Sequence, residues 1–70
     1  MDSNKLLALI KLRGFTMTEF LISIQMPKST WSKKIRGVSE FTRAEICTII
    51  HVLQMNTADV MSIFFVKKVS

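Results

Sequence analysis

The chain has 70 residues, of which 49% are hydrophobic, and its ten Lys and Arg exceed its five Asp and Glu to give a formal net charge of +5. This length allows one domain, residues 1–70, and lies near the lower limit for folding around a single core, so oligomerisation would add stability. The single cysteine excludes an intramolecular disulfide, and no apolar run approaches the roughly 18 residues of a membrane span, so we expect a protein of a reducing cytosol without a membrane segment.

The first predicted helix covers residues 4–13. The N-terminal sequence MDSNK lacks the basic region and cleavage site of a signal peptide, so we expect none. Asp2 or Ser3 is the expected N-cap, and Gly14 ends the helix. The apolar positions are Leu6, Leu7, Leu9, Ile10 and Leu12. They extend beyond one helical face, so this helix is more apolar than a single buried side requires.

Two short helices joined by a tight turn are predicted within residues 16–37. Thr16 and Glu19 fit a capping box, in which the hydroxyl accepts a bond from a free backbone N–H and the carboxylate accepts one from the cap residue. Pro27 lacks an N–H and has a fixed φ, so the second of these helices begins near it. Gly37 ends that helix, because glycine adopts the left-handed cap conformation at little cost.

The helix that begins near Pro27, the third of the chain, is amphipathic. Trp31 and Ile35 are four residues apart and face the preceding helix, so we expect Trp31 in the core and not as a stacking platform for bases. The opposite side is polar and basic and carries Lys28, Ser29, Ser32, Lys33 and Arg36. A basic outer face on a helix that is braced by a preceding helix is the form of a DNA recognition element.

Two further helices are predicted before a short basic tail at residues 66–70. Thr42 and Glu45 form a second capping box that opens a helix over residues 43–53, and Thr57 caps the fifth helix. The tail frays or pairs as a strand in a dimer. The expected core comprises Leu6, Ile10, Phe20, Ile24, Trp31, Ile35, Phe41, Ile46, Ile49, Ile50, Val60 and Phe64.

The T-x-x-E cap, the turn, KSTWSKKIRG and SEFTRAEI together resemble the helix-turn-helix of lambdoid phage repressors and Cro-type proteins, over about residues 4–65. The resemblance implies an all-α, lambda repressor-like helix-turn-helix domain of five short helices, with the motif at 16–37. It implies a small phage transcriptional regulator of the lytic–lysogenic switch, which binds double-stranded operator DNA through the third helix in the cytoplasm of a bacterial host.

Basic residues cluster in the part of the chain that carries the resemblance. Five of the ten bases lie between residues 28 and 43, where only Glu40 opposes them, which favours a polyanion partner over a merely solvated basic face. The candidates for base contacts are Lys28, Ser29, Ser32 and Lys33, because Lys donates to guanine and Ser donates or accepts. The candidates for phosphate contacts are Thr18, Lys34, Arg36 and Arg43.

The sequence departs from the family pattern in the second helix. Met17 stands where Gln is common, Leu21 where Ala is common, and Gln25 where Gly supplies a positive φ, at a cost of about 1 kcal/mol. The apolar excess favours an alternative function, a modulator of repression that binds the phage's own repressor. The partner-interface candidates are Met17, Leu21, Ile22, Met61 and Phe65. Homodimerisation through the fifth helix would also cover apolar surface.

No arrangement of residues predicts an enzyme. Cys47 is expected to be a small buried apolar residue, and His51 to have a structural role at the surface or half-buried, without a ligand partner. Gly14 and Gly37 do not build a phosphate-binding loop. We therefore predict no catalytic residue, no metal, no cofactor and no small-molecule substrate.

Overall fold

The structure of the protein, a computed structural model, describes residues 1–65, which form five α-helices and no strand. The helices are α1 (Ser3–Leu12), α2 (Met17–Ser23), α3 (Lys28–Ile35), α4 (Arg43–Leu53) and α5 (Thr57–Phe64). The all-α prediction is confirmed for this range, and the predicted basic tail lies outside it. None of these five helices is long and apolar enough to cross a membrane.

Both predicted capping boxes are present. The Thr16 hydroxyl accepts the Glu19 N–H at 3.2 Å, and the Glu19 carboxylate accepts the Thr16 N–H at 3.0 Å. Thr42 and Glu45 repeat the arrangement at the start of α4, with distances of 3.2 and 2.8 Å. These reciprocal bonds satisfy donors that the first turn of a helix otherwise leaves free, which is why the two helices begin where the sequence predicts.

The fifth helix begins with a different cap from the one predicted. Asn56, and not Thr57, is the N-cap: its side chain accepts the Asp59 N–H at 2.8 Å, and the Asp59 carboxylate accepts the Asn56 N–H at 3.3 Å. A capping box needs an acceptor side chain three residues after the N-cap. Asn56 has Asp59 at that position, whereas Thr57 has Val60, whose side chain cannot accept a hydrogen bond.

Four helices end at a residue with positive φ, and the amide that follows bonds back into the helix. After α2, Gln25 has φ 56° and the Met26 N–H donates to the Leu21 carbonyl at 3.0 Å. After α4, Gln54 has φ 51° and the Met55 N–H donates to the Ile50 carbonyl at 3.0 Å. This type of helix end usually carries an apolar contact at the residue after the turn. Both methionines are accordingly buried, although neither was predicted in the core.

The core is smaller than the sequence predicts. Its buried members are Leu6, Leu9, Ile10, Phe20, Leu21, Met26, Trp31, Ile49, Leu53, Met55 and Ile63. Seven expected core residues are only half-buried. Six of them pack against the edge of the core, namely Ile24, Ile35, Phe41, Ile50, Val60 and Phe64, and the seventh is Ile46. A domain of this size has a high ratio of surface to volume, so helices of seven to eleven residues enclose few positions completely.

Cys47 is exposed, which corrects the expectation that it is buried. On α4, Ile49 and Leu53 face the core, and Ile46 is half-buried. A residue one position after Ile46 is rotated about 100° away from it on a helix of 3.6 residues per turn, and therefore faces solvent.

A row of four aromatic rings fixes the position of α3. Phe15 meets Phe20 edge to face at 6.0 Å, Phe20 meets Trp31 at 5.4 Å, and Trp31 meets Phe41 at 5.5 Å between ring centroids. Edge-to-face pairs add to the stabilisation from burial itself. The row therefore joins the loop before α2, the helices α2 and α3, and the loop after α3. Trp31 is buried, which confirms its prediction as a core residue.

Arg13, at the C-terminal end of α1, connects this helix to α4 and α5. Its Nε donates to the Leu53 carbonyl at 2.8 Å, which satisfies an acceptor at the end of α4, and its guanidinium lies 3.9 Å from the Asp59 carboxylate. The Asp2 N–H donates to the Ile63 carbonyl at 2.8 Å and attaches the N-terminal segment to α5.

Candidate nucleic-acid interface

The base-contact candidates lie together on one side of α3. Lys28, Ser29 and Lys33 are exposed and Ser32 is half-buried, and Arg36 continues the same side past the helix end. At about 100° per residue these five positions occupy one arc of the helix, because residues three and four apart are neighbours. We call this set the α3 outer face. Its basic and hydroxyl groups can donate to base edges or phosphates.

The opposite side of α3 is held by the core. Trp31 is 4% exposed, and Ile35 packs at the edge of the core. The Ser3 hydroxyl donates to the Ile35 carbonyl at 3.2 Å, and the Val38 N–H donates to the Lys33 carbonyl at 2.9 Å. The core thus holds the inner side of α3, and hydrogen bonds hold its C-terminal end, so that the α3 outer face is turned to solvent.

Lys34, predicted to contact phosphate, is held in an ion pair between α3 and α4. Its Nζ is 2.6 Å from the Glu45 carboxylate and 3.1 Å from the Glu40 carbonyl, and its side chain is only 11% exposed. It also lies 5.9 Å from the centre of the Phe41 ring. We correct its assignment as a phosphate contact, because an ammonium group held in this way joins α3 to α4 and cannot turn outwards without breaking the ion pair.

The other three phosphate-contact candidates, Thr18, Arg36 and Arg43, are exposed. Arg36 Nε donates to the Ser32 carbonyl at 3.1 Å, which lays the side chain along the end of α3 and leaves the rest of the guanidinium free to donate. Within residues 1–65 the ion pairs are Arg13 with Asp59 and Lys34 with Glu45. The positive charges of the α3 outer face and Arg43 are thus not neutralised by neighbouring acids in the described structure, which suits a polyanion.

The surroundings of the Glu45 carboxylate favour its ionised form. The hydrogen bond from Lys34 is the main cause, followed by the Thr42 backbone N–H, and together they hold the pKa of Glu45 below its ordinary value. The same group therefore completes the α4 capping box and neutralises Lys34.

An apolar groove adjoins the α3 outer face. It has a volume of about 510 Å³ and is lined by Thr18, Leu21, Ile22, Gln25, Met26, Pro27 and Lys28. Ile22, which is 71% exposed, stands at its edge, and Lys28 belongs to both the groove and the α3 outer face. We call this feature the Ile22 groove.

The five partner-interface candidates differ in how far their side chains are exposed. Leu21 is 7% exposed and lines the Ile22 groove, and Met17 is half-buried against the core, so these two residues offer less surface to a partner than Ile22 does. Their side chains face inwards because α2 packs one whole face on the core. Ile22, Met61 and Phe65 are exposed as predicted, at 71%, 55% and 59%.

No protein-family model matches this chain, and comparisons with curated proteins and with solved structures also find no match.

Proposed function

We propose that the chain is a small transcriptional regulator that binds double-stranded DNA through α3, with residues 16–37 as a lambda repressor-like helix-turn-helix. The observation that carries the proposal is the division of α3 into two sides. Trp31 is buried on one side, and the other presents Lys28, Lys33 and Arg36 to solvent without an acidic partner among the described residues.

The dimensions of α3 suit the major groove. An α-helix with its side chains is about 10–12 Å in diameter, and the major groove of B-form DNA is about 12 Å wide, so α3 can enter it. In this arrangement Lys28, Ser29, Ser32 and Lys33 contact base edges, where Lys donates to guanine O6 and N7. Thr18, Arg36 and Arg43 contact phosphates on either side and fix the register of the helix on the duplex.

The resemblance to lambdoid phage repressors and Cro-type proteins supports a more specific proposal. The DNA is then an operator of a phage genetic switch, and the protein acts in the cytoplasm of the bacterial host. A homodimer would present two copies of α3 to the two halves of a palindromic operator. Met61 on α5 and Phe65 at its C-terminal end are both exposed, and we propose them as the contacts of that dimer.

The proposal is tested by comparing base-contact and phosphate-contact variants. A preferred duplex is selected from a random-sequence pool, and binding to it and to a scrambled duplex is measured by gel shift. Lys33→Ala should reduce discrimination between the two duplexes by about 1–3 kcal/mol, because it removes a base contact. Arg43→Ala should weaken both complexes alike.

Lys5→Ala is the matched control, since Lys5 is an exposed base on α1 and lies outside the proposed interface. It should leave both affinities almost unchanged. Equal effects of the three substitutions on both duplexes would show that α3 does not read sequence.

The Ile22 groove favours a second candidate function, modulation of repression by direct binding to the phage's own repressor. Ile22 is 71% exposed, and together with the groove it forms a contiguous apolar surface, which is the kind of surface that protein partners bind. In such a complex Ile22 would be the apolar anchor, while Lys28 and Lys33 at the rim would set the association rate and its salt sensitivity.

This alternative is tested by size-exclusion chromatography with light scattering, on the chain alone and mixed with the repressor. If modulation is the function, the mixture contains a stoichiometric complex that Ile22→Asp abolishes. Leu12→Asp is the matched control, because Leu12 is 74% exposed on a different helix. A homodimer that ignores the repressor would exclude the modulator and favour the operator-binding regulator.

A further inference from the structure

Lys34 is the one base of residues 28–43 that an acid neutralises within the part of the chain that the structure describes. Its ammonium group is 2.6 Å from the Glu45 carboxylate, 3.1 Å from the Glu40 carbonyl and 5.9 Å from the centre of the Phe41 ring. The third helix and its flanks therefore present fewer free positive charges than their sequence contains.

The charge of Glu45 is not required for its second contact, the cap of α4. Its carboxylate accepts the Thr42 N–H at 2.8 Å, and its own N–H donates to the Thr42 hydroxyl at 3.2 Å. A capping box needs only an acceptor side chain at this position, and glutamine supplies one as well as glutamate does. What glutamate adds is the negative charge that holds Lys34.

A cavity beside Lys34 gives its side chain room to turn if the ion pair is broken. The cavity has a volume of about 530 Å³, and Lys34 and Arg36 both line it, together with Gly37 and Ser39 of the loop after α3. Arg36 is exposed and belongs to the α3 outer face. Since the lysine stem is flexible, an unpaired Lys34 can move through this space towards the side of α3 that carries Arg36.

We propose that Glu45 is a positioning residue of the DNA-binding surface, which limits binding to unrelated sequences by holding Lys34 away from phosphates. The inference rests on the proposed binding of DNA through α3. Phosphate contacts strengthen binding to any sequence, whereas base contacts discriminate between sequences. On a preferred sequence the base contacts fix α3. On other sequences the helix is free to shift until a released Lys34 meets a phosphate, so its release favours the wrong sequences.

The test compares the wild-type chain with Glu45→Gln on the preferred and the scrambled duplex, by fluorescence anisotropy over a range of salt concentrations. One additional phosphate contact changes the slope of log K against log salt concentration by about −0.9. Glu45→Gln should therefore bind the scrambled duplex more tightly at low salt, with a slope steeper by about 0.9, and should discriminate less between the duplexes. A merely structural role of Glu45 predicts the opposite, because a loosened fold weakens binding.

Glu40→Gln is the matched control, because it changes the net charge by the same amount. The Glu40 carboxylate forms no ion pair within residues 1–65, and Lys34 bonds to its backbone carbonyl, which the substitution retains. The slope should therefore stay close to that of the wild-type chain. Lys34→Met in the Glu45→Gln background removes the released cation and should restore the wild-type slope. Lys34→Met alone should also leave the slope unchanged, since the paired lysine contacts no phosphate.

Three results would overturn the inference while DNA binding through α3 stands. The first is a Glu45→Gln slope equal to that of the wild-type chain or of Glu40→Gln. The second is a steeper slope that persists when Lys34→Met is added to Glu45→Gln. The third is a shallower slope for Lys34→Met alone, which would show that Lys34 already contacts phosphate. A wild-type chain that does not bind DNA at low salt would contradict the proposed function itself, and the inference with it.

Discussion

At the scale of single residues, two glutamines hold a backbone conformation that side chains with a Cβ rarely adopt. Gln25 and Gln54 have φ values of 56° and 51°, each directly after a helix. The left-handed conformation costs a non-glycine residue about 1 kcal/mol or more. In both turns the next residue, Met26 or Met55, is buried, so burial of the methionine offsets the backbone strain.

Replacing Gln25 by glycine should relieve this strain. Gln25→Gly should raise the free energy of unfolding by up to about 1 kcal/mol, since part of the gain is offset by the greater freedom of glycine in the unfolded chain. Gln25→Ala is the control, because alanine keeps the Cβ and hence the strain. Urea denaturation measures both, and a glycine variant no more stable than the alanine variant would contradict the assignment of strain at Gln25.

The sequence predicted positive φ at Gln25 but misplaced Cys47. Gln25 stands where the resembling family has glycine, so the backbone requirement was visible. Cys47 was assigned to the core because cysteine is usually buried. The spacing of Ile46, Ile49 and Leu53 was the better guide, since it leaves position 47 on the outer side of α4.

At the scale of secondary-structure elements, the ion pair between Lys34 and Glu45 joins α3 to α4. Capping boxes and helix ends are local patterns of four to six residues, and the sequence therefore predicted most of them. The ion pair joins residues eleven apart and depends on the angle between two helices. No local pattern specifies that angle, which is why Lys34 was misassigned as a phosphate contact.

The ion pair predicts a pH-dependent contribution to stability. The pKa of Glu45 is lowered in the folded protein, chiefly by Lys34, so the stabilisation is fully present above the unfolded value of about 4.3 and is lost as pH falls through the lower, folded pKa. At neutral pH, Glu45→Gln should reduce the free energy of unfolding by about 1 kcal/mol, because glutamine retains the cap but not the charge.

Glu19→Gln is the matched control for this substitution. Glu19 completes the capping box of α2, and its pKa is also lowered, mainly by the Thr16 backbone N–H, but it has no lysine partner among the described residues. Its replacement should therefore cost less than that of Glu45. Urea titrations at neutral and acidic pH measure both variants, and a Glu45→Gln effect that does not diminish in acid would contradict the ion pair.

At the scale of the whole molecule, the fold separates a small core from two kinds of exposed surface. Trp31 and the aromatic row hold α3 so that its basic side faces solvent, while the Ile22 groove beside it is apolar. The spacing of Trp31 and Ile35 was sufficient to predict which side of α3 is exposed. The depth of burial was not predictable from spacing, because it depends on how five short helices pack around one another.

The most direct test of DNA binding through α3 is the salt dependence of affinity for a short random-sequence DNA duplex, measured by fluorescence anisotropy. Each phosphate neutralised by a basic side chain contributes about −0.9 to the slope of log K against log salt concentration. On random-sequence DNA, which offers no matched bases, we expect Lys28 and Lys33 to contact phosphates as Arg36 and Arg43 do. Two to four such contacts predict a slope of roughly −2 to −4. A Lys28→Ala, Lys33→Ala double variant should have a shallower slope. No binding at low salt, or an affinity that does not change with salt, would contradict the account.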